Sequence, residues 1–277
     1  MQLPAGTGTG RTRFATLVDA HVHIYDCFDL SLLLEAAWKN MQLAANQLGV
    51  PDLFAGVLML AETRQDHWYE RVRQYAECGQ ACDGWRFEQL SENDVALRAR
   101  RGDDELLIVA GRQIVTEEGL EVLALATDKM LTDGQPVADV IERIRDEGGV
   151  AVIPWAVGKW LGQRGEIVHR LLNAATRSPF LLGDNGGRPL FWRYPSHFKH
   201  AHGLNIKVLP GTDPLPLRHD AQRVGSYGFV LRQRLSDARP ADDLRRLLLH
   251  PEVDVEKYGD LQGPFRFFRN QLGLRIR

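Results

Sequence analysis

Short apolar runs alternate with amphipathic stretches along most of this chain. ATLVDAHV reads as a buried strand, and FDLSLLLEAAWKNMQLAANQLG after it carries Leu, Ala and Met at helical spacing before closing on Gly49, a natural helix C-cap. AGVLML is a second strand, followed by a charged helix to about Tyr75. The rhythm breaks in GWRFEQLSENDVALRARRGDDELLIV. There Trp85, Phe87, Val95 and Leu97 alternate across the turn-like SEND and RGDD, which predicts antiparallel hairpins. GLEVLALAT is another strand. From Pro136 the alternation resumes: PVADVIERIRDEGG is an amphipathic helix with proline at its start and glycines at its end. VAVIP is then a strand, GEIVHRLLNAAT a helix, FLLGD and IKVLPGTD strands, and DARPADDLRRLLLH a late helix. Strands separated by helices imply parallel β/α units, hence a barrel or an open doubly wound sheet.

The length, 277 residues, is ordinary for a single α/β barrel. No repeat, linker or low-complexity block divides the chain. One domain over residues 1–277 is expected, with 1–13 a flexible lead-in and about 240–277 a C-terminal helical segment packed on the barrel. Lys and Arg total 34 against 36 Asp and Glu, and this balance argues against bulk attraction to nucleic acid or an anionic membrane. No apolar run has the length of a membrane span, and MQLPAGTGTGRTRF lacks the apolar core of a signal peptide. Cys27, Cys78 and Cys82 form no even framework, which fits free thiols in a reducing, cytoplasmic compartment.

In parallel β/α folds, reactive side chains gather at the C-terminal ends of strands, where the variable loops converge. The first strand offers His21, His23 and Asp26; positions i and i+2 of a strand share a face, so the two imidazoles can share one cation. The second strand offers Glu62, with Asp66 and His67 beyond it in a charged stretch that reads as surface. Glu121 lies within GLEVLALAT and Asp128 at its end. Trp155 follows VAVIP, with Lys159 four residues on; Asp184, Asn185 and Arg188 follow FLL, and Asp213 follows VLPGT. Each has a purely structural counterpart. A histidine pair can be a bystander, Asp213 can shape a turn, Trp155 can be packing, and Lys159 and Arg188 can be solvated. His197, His200 and His202 sit on a predicted helix before a strand, at the wrong end for a barrel site.

VDAHVHIYD resembles the opening of the amidohydrolase-like metal enzymes, specifically the PHP (polymerase and histidinol phosphatase) superfamily. IVAGRQI, LEVLAL, IRDEGGVAVIPW and LPGTDPLP resemble later segments of that family in order and spacing, over about residues 15–230. The resemblance implies a distorted (β/α)7 TIM-type barrel, here with an antiparallel hairpin insertion near residues 84–110. It also implies metal-dependent hydrolysis of phosphoesters. His21, His23 and Asp213 match family ligand positions. Glu62 and Thr63 stand where Asp-His is usual, Gln113 replaces the bridging glutamate, and Glu121, Trp155 and Leu215 replace histidines. Glutamine cannot bridge two cations and tryptophan has no lone pair to donate, so a trinuclear centre is not expected.

The expectation is therefore one divalent ion, zinc or manganese, held by His21, His23 and Asp213, with Glu62 and Glu121 as further oxygen ligands. Asp213 either completes the ligand set or acts as the catalytic base on the metal-bound water, and Trp155, Lys159, Asp184, Asn185 and Arg188 bind the substrate, a small anionic molecule such as a phosphoester, with amides and lactones as other options. No nucleic-acid or membrane partner is expected. The alternative is a catalytically degenerate barrel that binds a metabolite or a protein partner without hydrolysis.

Overall fold

β1 (Ala15–Val22) is buried along its whole length, as its apolar run requires. It pairs in parallel with β2 (Phe54–Leu60), and the crossover between them is α1 (Leu30–Gln47). The Asp29 side chain caps that helix by accepting from Leu32 N at 3.1 Å. On its other side β1 meets β12 (Gly228–Leu231), antiparallel. The chain is known here from a computed structural model that describes residues 14–50, 54–174, 179–192, 194–263 and 265.

After α2 (Trp68–Cys78), the segment expected to form hairpins does so. β3 (Ala81–Cys82), β4 (Trp85–Gln89), β5 (Ala96–Arg101) and β6 (Asp104–Val109) are successive antiparallel neighbours, and β6 also pairs in parallel with β2. With β13 (Glu256–Tyr258) beside β12, the first sheet runs β13-β12-β1-β2-β6-β5-β4-β3. A second sheet, β11-β10-β9-β8-β7, is built from β7 (Gly111–Val115), β8 (Glu121–Leu125), β9 (Val150–Pro154), β10 (Leu181–Asn185) and β11 (Val208–Gly211). Three helices, α3 (Val137–Asp146), α4 (Gln163–Ala174) and α5 (Ser196–Gly203), occur between its strands.

Two features differ from the expected parallel barrel. β8 runs antiparallel to both β7 and β9. The turn from β7 to β8 is tight, closed by Thr116 N donating to Leu120 O at 2.8 Å, and no helical crossover separates the two strands. The sheets also do not close on one another. They meet at isolated bonds: Asp213 N to His21 O at 2.8 Å on one side, and Glu62 N to Gly111 O at 3.1 Å with Gln113 N to Glu62 O at 2.9 Å on the other. Among the described residues these are bridges rather than ladders, so the architecture is mixed α/β in two sheets and not a closed (β/α)7 barrel.

The C-terminal region also differs. α6 (Pro240–Leu249) starts on proline, and Asp94 caps it by accepting from Ala241 N at 3.2 Å and Asp242 N at 3.4 Å. The helix ends at Leu249, and an edge strand, β13, follows where more helix was expected. Residues 1–13 and the basic end of the chain, 266–277, lie outside the described residues. No described helix is long and apolar enough to cross a membrane.

Packing explains how β1 aims its end. Ala15 and Leu17 join one apolar cluster with α1, whereas Val18 and Ala20 join another with α6. Further along, Val22 and Ile24 are back with Leu17, because the β1–β2 register shifts between Asp19 and Val22. The bulge changes which parity faces which layer, and a bulge next to a site commonly re-aims side chains in this way. His21 and His23 thereby leave the α1 side.

Candidate metal centre

His21 and His23 sit at the end of β1, 5% and 3% exposed. Their Nε2 atoms are 3.0 Å apart, and each lies 3.6 Å from Oδ1 of Asp213. These three side chains form the one metal-competent group of His, Cys, Asp or Glu found among the described residues, with ligand atoms all within 4.8 Å of one another. Burial pushes both imidazoles down to about 4, so they are neutral near pH 7 and keep a lone pair to offer. The Glu121 charge opposes the shift at His21, and the Gln113 side chain opposes it at both rings. Burial raises the Asp213 carboxyl; His23, Arg223 and a hydrogen bond from Asn185 work against it.

Asp213 reaches this point through a left-handed backbone, φ +45°, which is costly for a residue with a Cβ and recurs where function constrains the chain. Asn185, at the end of β10, donates from Nδ2 to Asp213 Oδ2 and accepts from Gly187 N at 2.7 Å through Oδ1. Beneath the cluster lies Asp19, fully buried. It accepts from Thr212 N at 2.8 Å, Thr212 Oγ1 at 2.5 Å, Gly225 N at 2.9 Å and His21 N at 3.3 Å. Burial still lifts its carboxyl to about 6 against those bonds. Asp19 thus ties the backbone of His21 to the residue before Asp213. A carboxylate inside an apolar run was the sequence signal for it.

A cavity of about 340 Å³ opens over the cluster, lined among others by His23, Tyr25, Thr63, Gln113, Glu121, Trp155, Asn185, Asp213, Leu215 and Gln262. Glu121 therefore faces the same space as the histidines, although it stands outside the ligand group, and Lys159 Nζ pairs with it at 3.3 Å. Trp155, 2% exposed, forms a wall and packs edge-on against Trp192. Glu62 lies elsewhere: its Oε1 accepts from Tyr69 N at 2.6 Å in the first turn of α2, and Arg112 lies 4.0 Å from its Oε2. Burial pushes Glu62 up to about 6.

Asp184 and Arg188 do not join the cavity over the histidines. Arg188 Nε and Nη2 donate to the two Asp184 oxygens, each at 2.7 Å, and Tyr227 Oη donates to the same carboxylate at 2.5 Å. Strand alternation turns Asp184 away from the side that Asn185 faces, and the pair lines a different cavity of about 730 Å³. Asp66, which reads as surface in the sequence, is half-buried; it accepts from Thr63 Oγ1 at 2.5 Å, and its charge acts on His23 and Tyr25. Gln262 was not visible as a cavity residue from the sequence, since no motif surrounds it. His197 and His200 bond separately, to Gly165 O and Asn173 Oδ1.

The donors fit a metal ion: two neutral imidazole nitrogens and a carboxylate oxygen converge beside a cavity. The outer shell is incomplete at His23, whose buried Nδ1 has no partner among the described residues.

Fold and site together define a mixed α/β protein with a buried His-His-carboxylate cluster at its strand ends. No family model and no curated protein matches the chain. Among solved structures, PsfC from Pseudomonas syringae PB-5123 superposes with a TM-score of 0.54 at 15% identity, over 95% of this chain and 98% of that one. Endonuclease Q, solved with a 27-mer duplex substrate bearing an abasic lesion at its active site, superposes at 0.51 and 11% identity. That match covers 84% of this chain and 56% of the endonuclease. A two-domain protein from Bacteroides vulgatus containing a predicted PHP-like metal-dependent phosphoesterase gives 0.46 and 13%, over 89% of this chain and 65% of that one. The first two carry the fold comparison; the third, below 0.5, does not. At these identities the likeness is one of fold. A duplex-bound neighbour stands beside the expectation of no nucleic-acid partner, and that partner belongs to the endonuclease.

Proposed function

We propose that this chain is a PHP-like metal-dependent hydrolase that cleaves a phosphoester, with His21, His23 and Asp213 holding one zinc or manganese ion. The observation that carries the reading is the convergence of those three donors from β1 and the end of β11. Glu121 lines the same cavity outside the ligand group, with its charge paired to Lys159. A divalent ion bound there supplies a Lewis acid and a water whose pKa falls toward neutrality. The chain's own groups do the rest. Asp213 would accept the proton that water loses as its oxygen bonds to phosphorus, and the departing alkoxide would take a proton from solvent as the ester P–O bond breaks. Asn185 holds Asp213 in place, Trp155 supplies a flat wall, and Lys159 at the cavity's edge balances Glu121.

A second reading is favoured by one observation. Gln113 lines the same cavity as His23, where the family resemblance calls for a bridging carboxylate. On that reading the fold binds a metabolite or protein partner without hydrolysis. Metal analysis of the wild type and of a His21→Ala/His23→Ala variant, with hydrolysis of phosphoesters under added manganese or zinc, separates the two. Metal bound through the pair with turnover supports the hydrolase; unchanged metal content in the variant removes the pair as ligands. Metal binding with no turnover leaves the binding protein.

A further inference from the structure

Among its described lining residues, the cavity over the histidines contains no lysine or arginine. Its carboxylates are Asp213 and Glu121, and Glu121 already has Lys159 beside it. Arg188, one short loop away, is engaged with Asp184 and with Trp192 O. On the hydrolase reading, a divalent ion next to Asp213 leaves one positive charge in excess. A phosphomonoester carries close to two negative charges at neutral pH, because its second pKa is about 6, whereas a phosphodiester carries one. The second charge of a monoester would face a partly buried wall with no cation to match it, which is costly.

What the wall does offer is amide. Gln262 donates its backbone N–H to Arg188 O at 3.2 Å and accepts from Leu190 N at 3.0 Å, which fixes its place against the loop after β10. Its side chain is 5% exposed and lines the cavity, and its Nε2 has no hydrogen-bond partner among the described residues. A buried N–H without an acceptor costs free energy that an incoming oxygen recovers. Such a donor suits an oxygen bearing a shared single charge. It brings no charge of its own.

We propose that this cavity selects a singly charged phosphodiester over a phosphomonoester, and that the Gln262 amide donates to a non-bridging phosphoryl oxygen of the diester. The proposal rests on the hydrolase reading. Gln262 lies after β13, outside the region of family resemblance.

The test uses the full chain loaded with manganese or zinc. Bis(4-nitrophenyl) phosphate is expected to give a kcat/KM at least about tenfold above that of 4-nitrophenyl phosphate after correction for their intrinsic reactivities, since a 1.4 kcal/mol difference is tenfold. Gln262→Leu should raise KM for the diester about threefold to tenfold while kcat falls less, as for loss of one neutral hydrogen bond. Gln262→Lys should move the preference toward the monoester. Titration calorimetry gives a readout without turnover: dimethyl phosphate should bind more tightly than inorganic phosphate, and Gln262→Leu should weaken it. A wild-type preference for the monoester, or tighter binding of inorganic phosphate, overturns the selectivity and leaves the hydrolase standing. An unmoved KM in Gln262→Leu removes the donor. Failure to hydrolyse either ester with metal bound overturns the hydrolase and this inference together.

Discussion

Gly211 lies so close to His21 that a Cβ built on it falls 2.4 Å from the His21 amide nitrogen and 2.5 Å from the His21 Cβ. β11 therefore touches β1 where the histidines begin, and two residues later the chain delivers Asp213. The glycine needs no unusual φ for this; it needs to have no side chain.

Gly211→Ala should separate the two strand ends. A Cβ cannot occupy that space without backbone movement, so metal affinity and stability are expected to fall together, with thermal unfolding and metal titration as the readouts. Wild-type affinity in a folded Gly211→Ala protein would mean that the cluster forms without this close approach.

Asp19 acts through its neighbours. In Asp19→Asn one acceptor oxygen becomes a donor amide facing groups that themselves donate, so the backbones of His21 and Thr212 lose a shared anchor. Metal binding should weaken about tenfold to hundredfold, the range seen when outer-shell partners are removed. Equilibrium dialysis with zinc measures it, and an unchanged affinity would leave Asp19 a mere core residue.

Arg188 separates a structural role from a substrate-binding one. Removing it by Arg188→Met leaves the Asp184 carboxylate buried with Tyr227 as its remaining side-chain donor among the described residues. Breaking a buried pair from one side costs about 3–5 kcal/mol. A large drop in stability by denaturant titration is the expected result. If stability holds and only KM for substrate rises, Arg188 belongs to the binding site after all.

The histidine pair gives the metal-free protein a defined pH response. Both imidazoles are held near 4, below the ordinary 6.5, so between those values the unfolded chain takes up protons that the folded chain refuses. Stability should therefore decline as pH falls from 6.5 toward 4, by at most about 1.4 kcal/mol per histidine per pH unit. Asp19, raised to about 6, contributes in the opposite sense, and it is common to the wild type and a His21→Asn/His23→Asn variant. Comparing the two by urea unfolding across that range isolates the imidazoles. Equal slopes would show that neither ring is held neutral by the fold.

Much of the secondary structure was legible in the pattern. Apolar runs marked β1, β2, β9 and β10 because a strand buried on both faces needs nothing else, and amphipathic spacing with proline and glycine at the ends marked α3. Strand direction was not legible in the same way. β8 reads like any buried strand, and its antiparallel course follows from the short turn at Thr116–Leu120 and from its partners in space. The same limit left barrel closure open, since closure depends on hydrogen bonds between strands far apart in sequence.

At the site, the chain alone determined that His21 and His23 share a face, because i and i+2 on a strand do so whatever surrounds them. It also supplied a late aspartate of suitable chemistry. Only the tertiary structure decided that Asp213 meets the pair, that a bulge turns them away from α1, and that Asp184 and Arg188 pair with each other. Side-chain periodicity is a local property of the backbone. Which faces come together is set by packing across the whole fold, where a missing Cβ at Gly211 or a buried carboxylate at Asp19 counts for as much as any motif.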